Sequence, residues 1–259
     1  MEEIYISSRT NPTVTMLCSL KTKKGREKES LYLCEGKKLC REALGRCKIR
    51  YAIIKVSRDN GELRNIATAS GGDIILLSDG AFDKISTDDT PDGIAFAVEI
   101  TECDRIILPN ERVFALDCVR DPGNVGTIVR SAASFGIDRL ILCDCADLFN
   151  PKTVRASMGA VFKIKFTVCG KLSEVSSVLK SQNRRIISTA LTGNSVTLGQ
   201  FSMKATDCLV VGNEGHGVSG ETLKLSDETL IIPMTDKTES LNAAIASSVV
   251  MWEIYKDNM

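Results

Sequence analysis

Between Val113 and Gly136 the sequence allows few conformations. Val113-Phe-Ala-Leu-Asp-Cys118 is apolar and β-prone, the composition of a buried strand. Pro122 and Gly123 break it, and Asn124 stands where a helix N-cap belongs. Ile128, Ala132 and Phe135 then recur at helical spacing, and Gly136 falls where a helix should stop. Strand, turn and capped helix aim backbone N–H groups and the Asn124 side chain at whatever occupies the turn, with Arg130 about two turns further on. Taken alone, the stretch also suits an ordinary β-α unit whose polar residues cap and solvate.

The rest of the chain sets the context. Downstream come strands at 139–143 and 162–168, a helix at 172–180, strands at 185–190, 208–211 and 229–232, and a closing helix at 241–256. This alternation predicts a mostly parallel sheet covered by helices, an α/β fold. Upstream, helices at 13–20, 36–46 and 61–69 alternate with strands at 30–34, 51–56, 73–77 and 93–99, a smaller α/β unit. The change of unit falls near Ile106-Ile-Leu-Pro-Asn110, giving two domains, 1–105 and 106–259.

No apolar run approaches the ~18 residues of a membrane span. The opening stretch, Met1-Glu-Glu-Ile-Tyr-Ile-Ser-Ser-Arg9, lacks the apolar centre of a signal peptide, so a cytoplasmic protein is expected. Ten cysteines are scattered through apolar segments, the closest pair is Cys143-Asp-Cys145, and there is one histidine. Reduced thiols are expected, and no metal. Net charge is zero, yet residues 1–50 hold 12 Lys/Arg against 6 Asp/Glu while residues 51–104 hold 4 against 11. A basic front end on a neutral body is the pattern of a local phosphate contact. Within it, Lys21-Thr-Lys-Lys-Gly-Arg-Glu-Lys28 reads as a basic loop, and a solvated connector would have the same composition.

Two more strand ends carry polar turns. Gly212-Asn-Glu-Gly-His-Gly217 follows Cys208-Leu-Val-Val211; its glycines let backbone approach a ligand closely, though a plain tight turn also explains them. His216 reads as an exposed loop residue, whereas Glu214 is a carboxylate able to bind substrate or orient an arginine. Leu230-Ile-Ile-Pro-Met234 leads through Thr235 to Asn242 into the closing helix, for which Ser240 is the expected cap. Leu241, Ala244, Ile245, Ser248, Val249 and Trp252 share one face there, the stripe of a tightly packed core helix.

Together the three turns resemble the signature motifs of the SpoU family of RNA methyltransferases, in the SPOUT superfamily. The matching residues are Asn124-x-Gly126-x-x-x-Arg130 with Gly136, Val211-Gly-Asn-Glu-Gly-x-Gly217, and Ile232-Pro-Met with Ser240-Leu-Asn242. The front unit, with Ser8-Arg-Thr-Asn-Pro12 and Glu35-Gly36, resembles the L30e-like substrate-binding domain that precedes many such catalytic domains.

The resemblance implies an α/β-knot domain, a deep trefoil knot, behind a smaller L30e-like domain. It also implies S-adenosylmethionine as cofactor, S-adenosylhomocysteine as product, and a homodimer. By position it assigns catalysis to Asn124, Arg130, Glu214, Ser240 and Asn242, and cofactor contacts to Gly212, Ile232 and Leu241. Lys21, Lys23, Lys24, Arg26 and Lys28 become candidates for RNA phosphates. The reaction implied is transfer of methyl to a ribose 2′-hydroxyl, in 23S or other ribosomal RNA. Transfer RNA, a SPOUT enzyme acting on a base nitrogen, and an inactive RNA-binding module of the same fold are the alternatives. The family role of Arg130 as base sits poorly with a guanidinium, which has no spare acceptor. Stabilising the developing alkoxide suits it better, with the proton passing to water or Glu214.

Overall fold

The computed structural model describes residues 3–101, 103–238 and 240–256. Met1 and Glu2 of the opening stretch, and Glu239 of the last polar turn, lie outside the described residues. The chain forms two compact units, Met1–Thr101 with Asp147–Phe162, and Glu102–Ala146 with Lys163–Met259.

The first unit runs β1 (Glu3–Ile6), α1 (Pro12–Ser19), α2 (Lys23–Glu29), β2 (Leu31–Glu35), α3 (Lys37–Ala43), β3 (Ile49–Lys55), α4 (Gly61–Ala69), β4 (Asp73–Leu77), α5 (Asp79–Ile85) and β5 (Ile94–Glu99). Its sheet has the order β1-β4-β3-β5-β2, with β5 antiparallel to both of its neighbours. Leu17, Ile53, Leu77 and Phe82 meet in its core.

The basic run is a helix, not the expected loop. Thr22 caps α2 by accepting from Gly25 N (3.1 Å), and Gly25 packs so closely that a Cβ there would lie 2.0 Å from Ser19 O. This placement corrects two of the candidate phosphate contacts. Arg26 is 2% exposed; its guanidinium donates to Leu20 O (2.8 Å) and to Asp147 Oδ2 (2.5 Å), which removes it from any RNA. The Lys21 ammonium is spent on Lys84 O (2.7 Å) and Ser86 O (2.6 Å), carbonyls at the end of α5. Lys23, Lys24 and Lys28 stay on the surface.

The second unit begins with β6 (Val113–Asp117), α6 (Pro122–Ser134) and β7 (Arg139–Cys143). The chain then enters the first unit, where α7 (Pro151–Ala156) packs on β2 and Phe149 stacks on Tyr32 with ring centroids 4.8 Å apart. It returns as β8 (Lys165–Cys169), α8 (Ser173–Ser181), β9 (Ile186–Thr189), β10 (Val196–Thr197), β11 (Cys208–Val211), α9 (Gly220–Leu225), β12 (Glu228–Ile231) and α10 (Ala243–Lys256). These strands form a parallel seven-stranded sheet, β10-β12-β9-β11-β6-β7-β8. Every residue of β6, β7 and β11 is buried, as strands covered on both faces must be.

At the N-terminal edge of this sheet lies an ionic network. Arg139, 1% exposed, donates through Nε to Glu111 Oε2 (2.7 Å) and through Nη1 to Asp104 Oδ1 (2.6 Å) and Thr167 Oγ1 (3.1 Å). Lys165 Nζ adds a bond to Glu111 Oε1 at 2.8 Å. Burial pushes the Glu111 carboxyl up, but the Arg139 and Lys165 cations outweigh it and hold the group at about 2. Beside it the Arg184 guanidinium collects the carbonyls of Leu108, Pro109 and Glu111 at 2.8–2.9 Å. The segment entering the unit is fixed by these two arginines.

Helix α10 packs on α6 with Ser131 Oγ and Ser248 Oγ 2.8 Å apart. Its buried face is Ala243, Ala244, Ser247, Val250, Met251 and Ile254. Of the stripe expected in the core only Ala244 is buried: Ile245, Val249 and Trp252 are 52%, 37% and 46% exposed. The helix is apolar on both sides, so a period-3.6 pattern does not tell which side is inward.

Candidate active site at the C-terminal edge of the parallel sheet

Ligands in open α/β sheets bind beyond the carboxyl ends of the strands. There the turns after β6, β11 and β12 converge. Asp121, not Asn124, caps α6: its Oδ1 accepts from Asn124 N at 2.9 Å, and Pro122 takes the first helical position. This corrects the expected cap and frees the Asn124 side chain. Asn124 Nδ2 donates to Glu214 Oε1, and Asn124 Oδ1 accepts from Asn242 Nδ2 at 3.1 Å. One residue from each turn thus joins a single chain of side-chain hydrogen bonds.

Each partner is held from behind. Asn213 N and Gly217 N each bond the other's carbonyl (3.0 and 2.8 Å), closing the glycine turn that carries Glu214. Asn213 Nδ2 donates to Cys118 O (3.2 Å), and buried Asp117 accepts from Ser219 N (2.8 Å), tying this turn to the end of β6. Asn242 Oδ1 accepts from Ala244 N (2.9 Å), so Asn242 caps α10 in place of the expected Ser240. Ser240 lines the adjoining cavity instead.

That cavity is ≈ 290 Å³ and is lined by Gly212, Glu214, Ile232, Ser240 and Leu241 together with the chain at 189–191. Its walls are mostly aliphatic, and Glu214 is the one ionisable side chain among the described lining residues. A nucleoside carrying a sulfonium fits this donor set: apolar walls for a purine, a carboxylate for the cation, and Ser240 for a hydroxyl or amino group. Gly212 is required whether or not a ligand binds, because a Cβ there would stand 2.2 Å from the Gly217 carbonyl carbon.

Arg130 is not part of this cluster. It lies on the exposed face of α6 with Thr127 and Ser134, and its guanidinium has no hydrogen bond or ion pair among the described residues. His216 is exposed, as expected. All ten cysteines are free thiols, five of them buried. No group of three or more His, Cys, Asp or Glu side chains that could hold a metal occurs among the described residues. No helix among them is long and apolar enough to cross a membrane. Asp117 and Asn213 escaped the sequence reading as positioning residues, since strand-end and turn residues of these types have no distinguishing pattern.

A parallel sheet with an apolar-walled cavity and an Asn-Glu-Asn cluster at its carboxyl edge has the layout of a ligand-binding α/β enzyme. Residues 111–252 match the SpoU rRNA methylase family, and the chain belongs to it. Residues 11–95 match the MRM3-like substrate-binding domain. The chain is 33% identical over 251 residues to the 23S rRNA (guanosine(2553)-2′-O)-methyltransferase RlmP of Bacillus subtilis, covering 96% of this chain and 98% of that one. It is 29% identical over 205 residues to the 23S rRNA (uridine(2479)-2′-O)-methyltransferase of Streptomyces viridochromogenes, covering 76% and 70% of the two chains. Among solved structures, the AdoMet-bound rRNA methyltransferase from Sinorhizobium meliloti superposes with a TM-score of 0.89 at 29% identity over 99% of both chains.

Proposed function

We propose that this protein methylates a ribose 2′-hydroxyl of 23S ribosomal RNA in the cytoplasm, as a homodimer whose C-terminal domain carries the family's trefoil knot. The observation that carries the reading is the meeting of Asn124 and Asn242 with Glu214, which lines the cavity. Names of relatives support the substrate class, and the match of residues 11–95 supports RNA binding by domain 1–105, with domain 106–259 catalytic.

S-adenosylmethionine supplies a methyl already activated by its sulfonium, so no metal is required. Transfer forms the O2′–methyl bond, breaks the methyl–sulfur bond and releases the hydroxyl proton. Gly212, Ile232 and Leu241 would hold the cofactor, largely through backbone. Asn124 and Asn242 orient Glu214 and the hydroxyl, Ser240 assists, and the proton leaves to Glu214 or water. Arg130, which lies outside this cluster within a single chain, would reach the site from the second copy of the homodimer and stabilise the developing alkoxide and the adjoining phosphate.

The dimer reading rests on α10. Ile245, Val249 and Trp252 stand at i, i+4 and i+7, and with Phe135 and Tyr255 they form an apolar face that a second copy would cover. Trp252→Glu should convert a dimer to monomer in sedimentation. A monomeric wild-type protein would refute this part. For the reaction itself, labelled cofactor and unmodified 23S transcript should give labelled RNA, with no label entering transfer RNA.

A further inference from the structure

The ends of β6 and β7 are built alike, and the motifs do not account for it. Each strand is followed by a non-glycine residue in left-handed conformation or ends on one: Cys118 (φ 59) after β6 and Asp144 (φ 48) after β7. Side-chain-bearing residues adopt that conformation uncommonly. Both kinks are pinned by backbone bonds, Cys118 N to Cys143 O (2.9 Å) and Asp144 N to Cys169 O (3.0 Å), and Ala146 N returns to Val119 O (2.9 Å). They bring Arg120 Nη2 onto Asp144 Oδ2. The Arg120 side chain is nevertheless 61% exposed, and that bond to Asp144 is the one it makes among the described residues.

Strand order gives this pair its place. β6 lies between β11 and β7. Asn124 meets Glu214 on the β11 side of the β6 turn, and Arg120 meets Asp144 on the β7 side. Arg120 directly precedes Asp121, the cap of the helix that carries Asn124. A nucleotide strand placing its ribose at Asn124 has a phosphate on either side of that ribose, and one continuing towards β7 would pass Arg120. A guanidinium with most of its planar fork free suits a phosphate better than any neutral group there.

We propose that Arg120 binds a backbone phosphate flanking the target ribose and that Asp144 is its positioning residue. The inference rests on the proposed RNA substrate. It concerns a contact outside the methyl-transfer cluster, so the two can fail separately.

The test uses the full chain, an in vitro 23S transcript and filter-binding affinity over a range of KCl concentrations, alongside methyl-transfer rates. Arg120→Ala should weaken RNA binding about fivefold at 0.1 M salt and reduce the log–log salt slope by about 0.7, the signature of one lost phosphate contact on a single strand. KM for RNA should rise while kcat at saturation and cofactor affinity stay unchanged. Arg120→Lys should restore the slope. Asp144→Asn should weaken binding with the slope retained, because the charge remains but its orientation is lost. Wild-type affinity and slope in Arg120→Ala would overturn the proposal. Tighter binding by Asp144→Asn would show that Asp144 only masks the charge, and would overturn its positioning role. If the wild type binds the transcript through Arg120 but transfers no methyl, the proposed reaction fails and this contact stands.

Discussion

The two edges of the seven-stranded sheet use the same residue types to opposite ends. At the N-terminal edge Arg139 and Arg184 are buried, and their donors are used up on Glu111, Asp104 and main-chain carbonyls. At the C-terminal edge Arg120 is exposed, as is Arg130 further along α6, and most of their donors face solvent. A buried guanidinium must be fully paired to be tolerated, and once paired it has nothing left to offer a ligand. An exposed one contributes little to stability but keeps its charge available. Charge fixes the fold at one edge and is free for chemistry at the other.

The largest effect should come from breaking the buried edge. Arg139→Met leaves Glu111 a buried, poorly paired carboxylate and should cost about 3–5 kcal/mol in chemical denaturation. Adding Glu111→Leu should recover much of that loss. A loss of under about 1 kcal/mol in the single variant would mean that the network is ornamental. Activity per folded molecule should not change.

Acid sharpens the same contrast. The Glu111 carboxyl sits at about 2 in the folded protein, below the ordinary ~4.3 of an unfolded chain. Its contribution is therefore complete above ~4.3 and fades as pH falls towards 2, a total of about 3 kcal/mol. Wild-type stability should fall more steeply than that of Glu111→Gln across this window. Parallel curves would show that the carboxylate is not held down as described.

At the open edge the order reverses. Arg130→Ala should keep stability within about ±0.5 kcal/mol and retain cofactor affinity, yet lose turnover by roughly a hundredfold or more. Arg130→Lys should rescue little, lacking the planar fork. Substantial rescue would reduce the role to simple charge, and full activity in the alanine variant would remove Arg130 from the site.

The smallest effect is expected from Lys23, Lys24 and Lys28. Neutralising all three should lower the salt slope of RNA binding by about 2 and leave cofactor affinity alone. An unchanged slope would leave α2 as a solvated helix.

Sequence patterns revealed the alternation of the C-terminal unit and the three turns that meet beyond its strands, because strand ends and glycine turns are local features. They did not reveal which residues cap. Asp121 and Asn124 are both good caps, and Pro122 decides between them only through its place at the first helical position. The basic run misled for a similar reason: Gly25 suggests a break, whereas the close approach of Ser19 requires it inside a helix. Burial of Arg26 depends on Asp147, 121 residues away, and no local pattern encodes that. The outward stripe of α10 was invisible because both faces of the helix are apolar. β10, two residues long, is below the length at which periodicity can be read.

The central claim, methyl transfer to a ribose oxygen, is tested most directly by the alkali stability of the product. RNA labelled from the methyl group of the cofactor would be hydrolysed in alkali, which cleaves only next to a free 2′-hydroxyl. Label recovered in alkali-resistant dinucleotides is the expected result, and its loss in Asn124→Ala and Asn242→Ala would tie it to this site. Label in ordinary mononucleotides would mean base methylation and contradict the claim.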